Sequence, residues 1–97
     1  MHTIKRLELS FDAAKDERNI AERGLSFAKA ADFDFGSALF WLDSRKNYPE
    51  QRIAALGFVN DRLHSLVFTE TEAGIRVISF RKANSREVKR YEQETQS

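Results

Sequence analysis

The feature that most constrains this chain is a pair of β-prone runs, Gln51 to Val59 and Arg62 to Glu70, joined by the two residues Asn60-Asp61. Both joining residues tolerate positive φ, which suits a two-residue hairpin turn. Such a turn pins the register: Val59 faces Arg62, and counting back along both strands puts Arg52 opposite Thr69. Thr71 to Gly74 makes the next turn, and Ile75 to Arg81, rich in β-branched residues, makes the last strand. A four-residue turn there pairs Glu70 with Ile75 and Thr69 with Arg76. Arg52, Thr69 and Arg76 then form a row across three strands on one face. Arg81 falls opposite His64 on the other face, unless a bulge or a one-residue slip carries it across.

The remaining elements fit around this meander. Leu7, Leu9 and Phe11 alternate with polar residues, as in a first strand with one buried face. Asp12 caps a helix from Ala13 to about Arg23, which Gly24 ends in the left-handed conformation. Ser26 caps a second, short helix carrying Phe27, Ala30, Ala31 and Phe33. Ala38 to Leu42 reads as a buried strand and Arg45 to Pro49 as a loop. Asn84 or Ser85 caps a final helix with Val88 and Tyr91 one turn apart. The order is β-α-α-β-β-β-β-α, an α+β class with an antiparallel sheet covered on one face by helices.

At 97 residues the chain is expected to be one domain, 1–97, and 41% apolar with 32% charged residues is a globular balance. No apolar run is long enough for a membrane span, and no signal-peptide core follows Lys5 and Arg6, so a cytoplasmic protein with no membrane partner is expected. The absence of cysteine excludes disulfides, thiolate metal sites and cysteine nucleophiles. The two histidines lack paired metal-ligand spacing, so neither metal nor other cofactor is expected. His2 stands near the chain end and is given no role. A net charge of +1 says nothing about partners, but from Arg76 to Tyr91 six cations stand against the single acid Glu87, enough local charge to hold phosphates.

The chain resembles the BrnT toxins from about Phe11 to Tyr91. Their opening stretch is matched by Phe11-Asp12, Lys15, Asn19, Arg23-Gly24 and Phe27. A Gly-Glu-x-Arg stretch before a strand is matched by Pro49-Glu50-Gln51-Arg52, followed by Gly57 and Thr69. The most recognisable segment is matched by Arg76-Val77-Ile78-Ser79-Phe80-Arg81-Lys82-Ala83, with Glu87 and Tyr91 after it. Arg23 stands where the family commonly has His, and Pro49 where Gly is usual. The resemblance implies a compact, RelE-like ribonuclease neutralised by an antitoxin of ribbon-helix-helix type. DNA would be contacted only indirectly, through that antitoxin.

Metal-free RNA cleavage uses the substrate's 2′-hydroxyl as nucleophile, and the protein must move protons and stabilise charge on phosphorus. Arginine suits the second task, because its planar fork holds two phosphate oxygens. Arg52, Arg76 and Arg81 are the candidates, with Glu50 as base and Asp43 and Glu70 as less favoured alternatives. Lys15, Asn19 and Arg23 recur every four residues on the polar side of the first helix. With Thr69 they are read as RNA contacts, Asn19 as an orienting hydrogen bonder. The plain alternative for each cation is solvated surface. His64, on the face away from Arg52, reads as structural, and Trp41 as core. Arginine at position 23 cannot serve as a base, which leaves a second class of function open: a non-catalytic RNA- or protein-binding homologue.

Overall fold

The computed structural model describes residues 8–96. The expected assignments of Leu7 and His2 lie outside them. Strand β1 spans Glu8–Ser10, helix α1 Ala13–Arg23, β2 Leu39–Leu42, β3 Ile53–Val59, β4 Arg62–Glu70, β5 Gly74–Lys82 and helix α2 Ser85–Thr95. Two short 3₁₀ segments, Phe27–Asp32 and Phe35–Ser37, stand where one short helix was expected.

Local chemistry sets the boundaries. The Asp12 side chain accepts from the Lys15 N–H at the start of α1, and Gly24 ends it at φ 66° with its N–H on the Ile20 carbonyl. Asn84 and Glu87 form a reciprocal capping box at the start of α2. Asn60 adopts φ 56° in the β3–β4 turn, where Val59 pairs with Arg62 as the spacing predicts.

The sheet order is β1-β5-β4-β3-β2. Strands β2 to β5 run antiparallel, but β1 joins β5 in parallel, so the sheet is mixed. No tight turn dictates the direction of β1, because α1 and the whole meander separate it from β5. β2 is an edge strand with Phe40 and Leu42 exposed, not a fully buried one.

Helices also cover both faces rather than one. On the first face Ala55, Leu66, Phe68, Val77 and Phe80 pack with Phe27, Ala30 and Phe33 from the first 3₁₀ segment. Gly57 is required there: a Cβ would come within 2.5 Å of the Phe33 ring. On the second face Leu56, Leu63 and Ala83 pack with Val88 and Tyr91 of α2. The strands demand both layers, because β3 and β4 carry apolar side chains to each side.

Two register expectations need correction. Thr69 pairs with Arg76 and Glu70 with Ile75, as the turn length predicts, but the register shifts at Val67/Phe68. Ile78 is the extra residue. Arg81 therefore pairs with Ser65, not His64, and turns to the second face. Arg52 lies one residue before β3, so the Arg52–Thr69 pair is not part of the ladder; the ladder ends at Ile53–Phe68. The Thr69 hydroxyl instead donates to the Gln51 carbonyl at 3.1 Å.

Candidate functional site

Helix α2 covers the part of the second face around Leu56, Leu63 and Ala83. Beyond it lies an open cleft of about 370 Å³ whose floor is small: Ala54, Ser65, Val67 and Ser79. One wall is Arg81 with Glu87; the other is Trp41 with the chain that follows β2, including Asp43 and Arg45. The bulge at Ile78 turns Arg81 to this side of the sheet, where the cleft holds two cations and two carboxylates.

Both cleft arginines are held in two-point pairs. Arg81 donates Nη1 and Nη2 to the Glu87 carboxylate at 2.8 and 2.9 Å, and Nη1 also reaches the Lys82 carbonyl at 3.2 Å. The pair pushes the Arg81 pKa up and holds Glu87 below the usual carboxylate range. Arg45 donates Nε and Nη2 to Asp43 at 2.7 and 2.9 Å. The Asp43 carboxyl is buried yet stays below its ordinary pKa, chiefly because of the Arg45 hydrogen bond, with Arg52 contributing charge. Arg45 and Arg81 repel each other across the cleft, which acts against the charge on Arg81.

Arg52 is half-buried at the foot of β3. Its carbonyl accepts from the Asp43 N–H at 2.8 Å, and its guanidinium stacks 3.9 Å from the centre of the Tyr48 ring. The nearest carboxylate oxygen, from exposed Glu50, is 4.0 Å away. The Arg52 Nε is buried without a hydrogen-bond partner among the described residues. Arg76 is exposed, one strand across from buried Thr69.

The second group of predicted residues gathers elsewhere. β1 pairs with β5 only as far as Arg76, so among the described residues no strand covers the outer edge of the bulged half of β5, whose other edge pairs with β4. Helix α1 lies there. Asn19 donates its amide to the Phe80 carbonyl at 3.0 Å and to the Leu25 carbonyl at 2.9 Å, fastening helix to sheet edge. Lys15, Arg18 and Arg23 line a shallow groove with Ile78 and Ser79. Ser79 borders both groove and cleft, so the two sites meet over the bulge.

His64 is buried on the first face, stacked on Phe80, with Nδ1 donating to the Arg62 carbonyl at 2.8 Å. Burial holds its pKa below the ordinary value. Trp41 packs with the α2 layer and also carries Arg90 over its ring at 4.2 Å. Sequence reasoning missed Arg45, Ser65 and Ser79 as parts of the site and gave Asp43 only a minor place. An Asp directly after an apolar strand, with Arg two residues on, was the available signal.

None of the helices among the described residues is long and apolar enough to cross a membrane. No curated protein matches the chain. The family model described as ribonuclease toxin, BrnT, of type II toxin-antitoxin system matches residues 11–87, from the end of β1 into the first turn of α2. The match contains the cleft, the bulge and the α1 groove. The chain belongs to the BrnT family of ribonuclease toxins of type II toxin–antitoxin systems.

Proposed function

We propose that this chain is a cytoplasmic endoribonuclease that cleaves single-stranded RNA without a metal, inhibits translation and growth, and is silenced by a ribbon-helix-helix antitoxin. The observation that carries the reading is the bulge at Ile78, which brings Arg81 into an open cleft opposite Arg45 within the family match. The RNA backbone lies over this cleft. The substrate's 2′-oxygen attacks the adjacent phosphorus, the bond to the 5′-oxygen breaks, and that oxygen takes a proton from water, so the product ends are a 2′,3′-cyclic phosphate and a 5′-hydroxyl. Arg81 stabilises charge on the phosphoryl oxygens as it develops, with Arg52 and Arg76 along the same side of the sheet. Glu50 takes the proton from the 2′-hydroxyl. It is the freer carboxylate beside the site, since Asp43 and Glu87 are tied in two-point pairs. Lys15 and Arg23 guide the flanking backbone along the α1 groove, while Asn19 and Thr69 hold the elements that shape the path.

A second reading has its own support. Arg23 cannot act as a base, and each cleft arginine is neutralised by a carboxylate, as in a binding homologue without nuclease activity. Incubating antitoxin-free protein with single-stranded RNA in EDTA separates the readings. The nuclease reading expects cleavage with cyclic-phosphate ends, and growth arrest on expression that co-expressed antitoxin relieves. Activity lost in EDTA and regained with a divalent ion would overturn the metal-free mechanism. RNA binding without cleavage under every condition would leave the binding homologue.

A further inference from the structure

We propose that Asp43 and Arg45 form a second phosphate clamp, gripping the RNA phosphate next to the one held by Arg81. The proposal rests on the ribonuclease reading above and names a binding residue outside the motif positions that carry the family resemblance. The Asp43 side chain is only 3% exposed, whereas that of Arg45 is 75% exposed. Burying a carboxylate is costly unless it is paired and hydrogen-bonded. Here the buried partner spends its hydrogen bonds fixing the direction of a guanidinium that stands in the open. Asp43 takes Nε and one Nη2 proton, at 2.7 and 2.9 Å, so the outer edge of the guanidinium, with Tyr48 beside it, carries the remaining N–H donors. That edge matches two phosphate oxygens.

The opposite wall supports the same ligand. Glu87 holds the Nη1 and Nη2 groups of Arg81, and Nε remains. Each guanidinium is paired with its own carboxylate, yet Arg45 still acts against the charge on Arg81, a residual repulsion that a phosphate bound to the outer N–H groups relieves. The Ser65 and Ser79 hydroxyls in the floor add neutral donors. A polyanion with regularly spaced phosphates fits this arrangement, and RNA is the polyanion that the family's activity supplies. Asp43 is accordingly a positioning residue and Arg45 a binding residue.

The test is binding of a 2′-O-methyl RNA hexamer, which cannot be cleaved, followed by anisotropy over a range of salt. Arg45→Ala should weaken binding roughly tenfold, the loss of one charge-assisted contact. It should also flatten the slope of log K against log salt by about 0.7, the loss of one phosphate on a single strand. Because Arg45→Ala strands a buried carboxylate, Asp43→Asn/Arg45→Ala provides a second variant without the orphan charge, with the same losses expected. Lys29→Ala, an exposed cation on the first face, serves as the charge control and should match wild type. Unchanged affinity and slope in either folded variant would overturn the clamp, even if wild type cleaves RNA. An Arg45-dependent slope in a protein that never cleaves would sustain the clamp and sink the nuclease reading. Absence of hexamer binding by wild type would overturn the clamp outright.

Discussion

The two faces of the sheet are built from the same three central strands and are used in opposite ways. On the first face Leu66, Phe68, Val77 and Phe80 of β4 and β5 meet the phenylalanines of the 3₁₀ segment, which also fill the space left by Ala55 and Gly57 of β3, and the layer is closed. On the second face α2 covers Leu56, Leu63 and Ala83 and then stops. Past its N-terminus the sheet offers Ala54, Ser65, Val67 and Ser79, of which only Val67 is a larger apolar side chain. The difference teaches that the cleft results from a change in side-chain size along the strands, combined with one bulge that changes which face β5 presents. A closed, stabilising face and the face proposed for the chemistry are thereby separated by the thickness of one sheet.

The largest test of this division is stability. Phe80 is among the most buried side chains, and Phe80→Ala should cost about 3–5 kcal/mol, read from urea unfolding. Ser65→Ala, in the cleft floor one strand away, should stay within about 0.5 kcal/mol. Similar costs at both positions would break the contrast between the faces.

A smaller effect concerns the join between groove and cleft. Arg23 lies in the last turn of α1 beside the groove, and Arg81, not Arg23, lines the cleft. If Arg23 only guides phosphate, Arg23→His should leave single-turnover cleavage unchanged or slightly slower. General acid–base help is typically ~10²–10⁴-fold, so an acceleration on that scale would move proton transfer into the α1 groove and redraw the site.

Much of the fold was legible because local rules agreed with one another. The Asn60-Asp61 spacing fixed the β3–β4 register, and the caps at Asp12, Ser26 and Asn84 stand where side-chain chemistry places them. The parallel pairing of β1 was hidden because it depends on distant chain, not on a turn. The α2 layer was hidden because Val88 and Tyr91 alone look like a thin stripe, and only the packed sheet reveals what they cover. The lining of the candidate cleft was partly legible. Arg81 was singled out by its motif but set on the wrong face, since a bulge leaves no mark in periodicity when an apolar residue, Ile78, is the extra one. Arg45 was passed over because its partner's burial arises only when the loop folds back against β3, where the Asp43 N–H meets the Arg52 carbonyl.

The central claim is that the second face, reached by Arg81 through the bulge, carries the chemistry. Arg81 and Lys82 are neighbouring cations turned to opposite faces, Arg81 beside Ser65 and Lys82 beside His64. The direct measurement is single-turnover cleavage of one RNA by antitoxin-free wild type, Arg81→Ala and Lys82→Ala, each confirmed folded. The account predicts a loss of roughly 10²–10³-fold for Arg81→Ala, the usual effect of removing one charge-stabilising donor, and the wild-type rate for Lys82→Ala. Wild-type cleavage by folded Arg81→Ala, or an equal loss in both variants, would contradict it.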